Sequence, residues 1–332
     1  MSIRDVAEQV GVSIATVSRA FNAPEQVAPE TRRRVIQAAS QLGYVPNSSA
    51  QTLRRQFSKV LGVVLPTLLN PVFAECLDGI AQMAAASGYS IVPMTTDYQL
   101  SGEEAAVNRL LAYSVDGMIL VVSNPQTSQD LAKLQARSLP YVLLYNRHPG
   151  HPCVSVDCEG AMAQLIHRLA DMGHSRIAMV SGQLAASDRS QQRYRGYVNG
   201  MQECGLDAYD LVEVPFMDAV VSRLAQFLGA AQRPSALVCS NDLLAIRCLR
   251  AAHVAGLEVP RDLTVVGFDG IELGRDLTPV LSTIAQPNRE IGRRGVQLIV
   301  QALGKGRTLD PAASLTLTHE FHEGESCARA AG

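Results

Sequence analysis

From Val60 onward the chain alternates short, uniformly apolar runs with longer amphipathic stretches, and few folds accommodate that rhythm. The apolar runs fall at 60–65, 90–95, 117–122, 141–144, 154–157, 176–181, 211–214, 236–239, 263–268 and 281–285. Between most of them lie helix-type segments such as "VFAECLDGIAQMAAASG" and "EGAMAQLIHRLADMG". A strand apolar on both faces needs cover on both, which helical crossovers in a parallel sheet provide. Ten strands are too many for one comfortable sheet, so two doubly wound lobes are expected. In such sheets ligands sit at the carboxyl ends of the strands, and in a two-lobed body between the lobes.

The first 45 residues follow a different, helical pattern. Ser2 and Asp5 mark a helix start, and Gly11 ends that helix near Val10. Ser13 can cap a second helix running to about Asn22, and Pro29 fits the first turn of a third, over 30–42. Val35, Ile36, Ala39 and Leu42 supply apolar spacing to the third, and Gly43 closes it. Two short helices joined by a tight Gly turn predict a helix-turn-helix. Pro46 ends this core, and 49–55 reads as one further short helix with little apolar surface, marginal alone in water.

Charge separates the two parts. Residues 1–60 hold eight Lys/Arg against four acids, which leaves 21 basic and 27 acidic residues for the remainder. A basic head on an acidic body indicates that the head meets a polyanion. The start "MSIRDVAEQV" has no apolar signal core and no run reaches the length of a membrane span, so a cytoplasmic protein is expected. Seven scattered cysteines without a C-x-x-C read as reduced core thiols, with no metal site. No phosphate-binding or dinucleotide-binding glycine motif and no G-x-S-x-G elbow occurs, so no nucleotide-using enzyme, cofactor or catalytic residue is expected. A transport-type sugar-binding protein would fit the body but not the fused head.

The stretches "IRDVAEQVGVSIATVSRAFN", "TRRRVIQAASQLGYVPN", "SAQTLRR", "LGVVLPTLLNPVFAECLDGI", "DGMIL", "GHSRIAMVSG", "SNDLLAIRCLRAAHVAGLEVPRDLTVVGFDG" and "STIAQP" occur in order across nearly the whole chain. Together they resemble the lactose/galactose repressor (LacI/GalR) family of bacterial transcription regulators. The resemblance implies an α/β chain: a helix-turn-helix domain at 1–45, a hinge helix and linker at 46–59, and a two-lobed periplasmic-binding-protein-like body at 60–322. The last residues, 323–332, read as a flexible tail.

The same resemblance assigns roles. In the second helix, Ile14 and Ala15 match positions that vary with operator sequence, and Arg19 matches a guanine-reading arginine. Ser13, Thr16 and Ser18 read as capping and phosphate groups, and Val17 and Phe21 as core. Arg32, Arg33 and Arg34 are open between phosphate contact and solvated surface. Ala28 stands where relatives often carry a capping Ser or Thr. In the hinge, Leu53 matches a minor-groove wedge, Ala50 packs beside the partner hinge, Asn47 faces DNA, and Gln51 replaces a frequent arginine. In the body, Asn70, Phe73, Asn146, Arg189, Arg193, Asn241, Asp269 and Gln286 match ligand contacts, with Asn146 replacing a common aspartate. Arg189, Arg193 and His148 together suit an anionic effector such as a sugar acid or phosphorylated sugar. The expected partners are a palindromic operator in double-stranded DNA, a sugar-like effector and a second copy of the chain. Because "SLTLTHEFHEGESCARAAG" carries no leucine heptad, a homodimer is expected.

Overall fold

The computed structural model describes residues 1–44, 57–215 and 220–330. The chain divides into two compact units, Met1–Ser58 and Lys59–Gly332. The hinge residues Asn47, Ala50, Gln51 and Leu53 lie outside the described residues.

The first unit is built on helices α1 (Ile3–Val10), α2 (Ile14–Asn22) and α3 (Pro29–Gln41). Ser2 and Asp5 form a reciprocal capping box at α1: the Ser2 amide donates to Asp5 Oδ2 at 2.8 Å, and the Asp5 amide donates to Ser2 Oγ at 3.4 Å. Gly11 takes φ +72°, the left-handed turn that only glycine adopts cheaply, and its amide returns to the Ala7 carbonyl. Val6, Val10, Val17, Ala20, Val35, Ala38 and Ala39 form the small core. Two expectations shift in detail. Ile36 is 40% exposed, because the buried stripe of α3 runs Val35, Ala38, Ala39 and Ile36 lies about 100° around the helix from Val35. Phe21 is half-buried, its ring edge-on to Tyr44 at 6.0 Å. At α3, Ala28 offers no side-chain cap and Pro29 takes the first position.

The second unit contains two six-stranded sheets among the described residues. The first lobe has strands β1 (Val60–Leu65), β2 (Ser90–Thr95), β3 (Gly117–Leu120), β4 (Tyr141–Leu144), β5 (Cys153–Val156) and β11 (Leu315–Leu317), in the order β11-β5-β4-β3-β1-β2. The second has β6 (Ile177–Gly182), β7 (Val212–Val214), β8 (Ala236–Cys239), β9 (Thr264–Asp269), β10 (Ser282–Ala285) and β12 (Glu320–His322), in the order β12-β10-β9-β8-β6-β7. All pairings are parallel except β10 with β12. The chain passes between lobes three times: after β5, after β10, and between β11 and β12.

Helices cover both sheets. Helices α4 (Pro71–Ala86), α5 (Leu100–Ala112), α6 (Gln129–Ala136) and α11 (Asn288–Gly304) belong to the first lobe. Helices α7 (Cys158–Asp171), α8 (Asp188–Glu203), α9 (Val221–Leu228) and α10 (Asp242–Val254) belong to the second. Strands such as β3, β4 and β8 are buried at every residue, as their continuous apolar character requires. No helix among the described residues is long and apolar enough to cross a membrane.

The end of the chain corrects the sequence reading. Residues 323–330 are not a loose tail. The fully buried Ser326 hydroxyl donates to the Val265 carbonyl at 2.6 Å and accepts the Ser282 amide at 2.8 Å. The Ala328 amide donates to Thr264 Oγ1 at 3.1 Å. The small polar residues that look like tail composition let the backbone lie close against β9 and β10. Strands β11 and β12 also escaped the sequence pattern, being three residues each and only partly buried.

Candidate functional site

The carboxyl ends of the strands in the two lobes converge on one cavity of about 30 Å³, room for water but not for a sugar. Asn70, Phe73, Arg189, Arg193, Asn241 and Asp269 all line it. Asn70 Oδ1 caps α4 through the Val72 amide at 3.4 Å, and Asn241 Oδ1 caps α10 through the Leu244 amide at 2.8 Å. Both asparagines therefore set a helix start while presenting themselves at the cleft.

Asn146 and Gln286 stand one layer behind. Asn146 is fully buried; its amide nitrogen donates to the Val122 carbonyl at 2.8 Å and to Asp188 Oδ1 at 2.6 Å. Gln286 donates to Asp269 Oδ1 at 2.9 Å, while its own Oε1 finds no partner among the described residues. His148 is not part of the cavity lining: it is half-buried on the β4–β5 loop with its ring 4.8 Å from that of His151.

The structure adds residues that sequence reasoning missed. Tyr98, Tyr145, Ser187, Ser190 and Ser240 also line the cavity. Tyr98 and Tyr145 each follow a strand closely and take positive φ, +60° and +62°. Position just after a strand was the available signal. The Tyr145 hydroxyl donates to Asn288 Oδ1 at 3.2 Å, and its ring meets Phe73 edge-on at 5.9 Å.

Each cleft arginine is paired with a carboxylate. Arg193 lies 3.2 Å from the Asp269 carboxylate and 3.8 Å over the Phe268 ring, and it donates to the Ser240 carbonyl. Its Nε finds no partner among the described residues. Arg189 lies 3.1 Å from Asp188 and donates to the Val122 carbonyl at 2.8 Å. Burial raises the Asp269 pKa to about 7 against the opposing pull of Arg193, and burial likewise pushes Asp188 above the usual carboxylate range. Tyr98 is pushed up to about 12 by burial and stays neutral.

Several bonds tie the lobes together. Asn146 meets Asp188, the Asp188 amide donates to the Ser123 carbonyl at 2.8 Å, and Arg289 bridges Asp78 at 2.9 Å and Glu272 at 2.7 Å. Among the described residues no group of three His, Cys, Asp or Glu side chains is placed to hold a metal ion.

The first unit presents its own surface. Ser13 Oγ caps α2, accepting the Thr16 amide at 3.1 Å and lying 2.9 Å from Thr16 Oγ1. Ile14 is 44% exposed, Ala15 and Arg19 are exposed, and Thr16 and Ser18 are half-buried. Val17 and Ala20 face the core. The three arginines of the run differ in their contacts within the head. Arg34 donates to the Val10 carbonyl at 2.7 Å and Arg32 to the Ala20 carbonyl at 3.4 Å, each serving a helix carboxyl end. Arg33 pairs with Glu30 on the surface.

Residues 2–47 match the family described as bacterial regulatory proteins, lacI family, and residues 166–327 match a periplasmic binding protein-like domain. The chain is 31% identical over 328 residues to catabolite control protein A of Priestia megaterium, covering 97% of this chain and 98% of that one. The chain belongs to the lacI family. A second LacI-family relative, the HTH-type transcriptional repressor CytR of Escherichia coli strain K12, is 32% identical with 93% of each chain covered. A crystal structure of the Lac repressor dimer bound to operator and an anti-inducer superposes with a TM-score of 0.86, at 27% identity and 99% coverage of both chains. This LacI-family chain is a DNA-binding transcription regulator rather than an enzyme, with a helix-turn-helix head and a periplasmic-binding-protein-like body.

Proposed function

We propose that this regulator represses transcription as a homodimer in the cytoplasm, reading a palindromic operator. Ile14, Ala15 and Arg19 of α2 face bases, Ser13, Thr16 and Ser18 cap the helix or face phosphates, and in the 46–59 hinge Leu53 wedges into the minor groove, Ala50 packs beside the partner hinge and Asn47 faces DNA. Two-fold pairing suits one short recognition helix per chain, since a single half-site gives modest affinity.

A small polyhydroxylated molecule held between the lobes sets operator affinity. The observation that carries this reading is that the two cleft arginines each face a carboxylate, Arg193 with Asp269 and Arg189 with Asp188. Such pairs offer donors and acceptors side by side, which suits the hydroxyls of a neutral sugar. Each arginine is already engaged by a carboxylate, which leaves less free positive charge for an anionic sugar derivative. Entry of a sugar into so small a cavity requires the lobes to part, and a ligand that prefers one lobe arrangement shifts the population of DNA-binding states.

The test is a thermal-shift screen of neutral sugars, sugar acids and sugar phosphates, followed by calorimetry on each hit. Neutral sugars are expected to bind. Binding confined to the anionic compounds would overturn the ligand class.

A further inference from the structure

Asp242 opens α10 directly after Asn241, is fully buried, and is not among the residues lining the cleft. Three groups hold its carboxylate. The Thr283 hydroxyl donates to Oδ1 at 2.5 Å, the Ile271 amide donates to Oδ2 at 2.8 Å, and the Gly270 amide faces the same carboxylate. Gly270 and Ile271 are the two residues that follow Asp269. Asp269 itself has φ +122°, a backbone region that side-chain-bearing residues rarely adopt. Such a conformation persists only where its surroundings enforce it.

The space for this grip is built into the sheet. A Cβ at Gly267 on β9 would stand 2.0 Å from Asp242 Oδ1, so any side chain there would displace the carboxylate. Strand β9, strand β10 through Thr283, and the start of α10 therefore meet at one buried carboxylate beneath the cleft.

We infer that Asp242 is a positioning residue of the effector cleft: by gripping the Gly270 and Ile271 amides it holds Asp269 in its positive-φ conformation and so sets that carboxylate against Arg193. Its consequence for ligand binding rests on the proposal that Asp269 contacts the effector.

Asp242 also acts on Asp269 through charge. The titratable groups facing Asp269 are Arg193, Asp242, Tyr98, Tyr145 and Cys158, with the side-chain amides of Gln286 and Asn288 beside them. Burial pushes both phenols and the thiol up, which keeps them neutral. Arg193 favours the ionised form of Asp269, whereas Asp242 opposes it as a like charge.

The experiment uses the full chain without ligand, labelled with 13C at the aspartate carboxyls, with the Asp269 signal assigned by its loss in Asp269→Asn. In Asp242→Asn the Asp269 titration midpoint is expected to fall from its parental position toward the ordinary carboxylate range. Amide exchange at Gly270 and Ile271 is expected to accelerate in Asp242→Ala and to be partly restored in Asp242→Asn, which keeps one oxygen acceptor. Should Asp242→Ala fail to fold, Thr283→Val reads the same exchange with every charge retained. An Asp269 midpoint unmoved in Asp242→Asn, or exchange at Gly270 and Ile271 unchanged in the folded variants, overturns the inference. Because no ligand is added, a wrong assignment of the effector site would leave this result standing.

Discussion

The Arg193 guanidinium and the Asp269 carboxylate lie 3.2 Å apart in a site where both side chains are almost wholly buried. Removing one member of such a pair strands the other charge, at a cost of about 3–5 kcal/mol. Arg193→Ala is therefore expected to lower unfolding stability by about that amount at pH 8. The loss should shrink at pH 5, where Asp269 takes up a proton and no bare carboxylate remains. Denaturant unfolding at the two pH values measures this. A loss equal at both would mean that Asp269 carries no charge dependent on Arg193.

Asp269 makes a second prediction by itself. Its pKa in the folded chain, about 7, stands above the ordinary 3.8, so the folded state binds the proton more tightly than the unfolded one. The corresponding stability is present at low pH and drains away as pH climbs from about 4 through 7. Asp269→Asn cannot ionise and escapes that loss. The Tm of the variant minus that of the parent should move in the variant's favour between pH 4.5 and pH 8. A flat difference would show that Asp269 ionises as an exposed carboxylate does.

Asn146 joins the lobes through its 2.6 Å bond to Asp188. Asn146→Ala removes that bond and the link to Val122, so the lobes should part more often. Amide exchange at Asp188, whose N–H crosses to the Ser123 carbonyl, is expected to rise by at least about fivefold, in keeping with the loss of roughly 1 kcal/mol. Unaltered exchange would place the restraint on lobe opening elsewhere, with Arg289 and its two carboxylates the next pair to break.

In the head, Arg19 is the one exposed base-facing cation proposed on α2. A bidentate arginine–guanine contact is worth about 1–3 kcal/mol of discrimination. Arg19→Ala should therefore weaken binding to a palindrome selected from a random library by about 5- to 150-fold, while changing binding to unrelated DNA little. Fluorescence anisotropy on both DNAs decides; equal losses would reduce Arg19 to a phosphate contact.

Much of this architecture was legible because it rests on local rules. Strands β1 to β10 show themselves by their apolar runs, and the head by Ser2, Gly11, Ser13 and Pro29 at helix boundaries. Five of the six predicted residues that line the cavity end a strand or open the helix after it; Arg193 lies a turn further along α8. The remainder depends on contacts far apart in sequence. Nothing local to Arg193 reveals that Asp269 pairs with it, whereas Asp188 stands beside Arg189 in the sequence and its pairing was passed over, so the arginines' charge alone pointed toward an anionic ligand. Asn146 and Gln286 act through neighbours 42 and 17 residues away. The packed end at Ser326 is set by partners some 61 residues upstream, which no local composition announces.

The central claim is that ligand in the cleft controls binding at the head. The direct measurement is operator affinity of the full chain, with and without a saturating sugar from the thermal-shift screen, repeated on Asp269→Asn. A coupling of about 1–3 kcal/mol predicts a 5- to 150-fold change in the parent and none in the variant. Operator affinity that is the same with and without bound sugar in the parent would contradict the account.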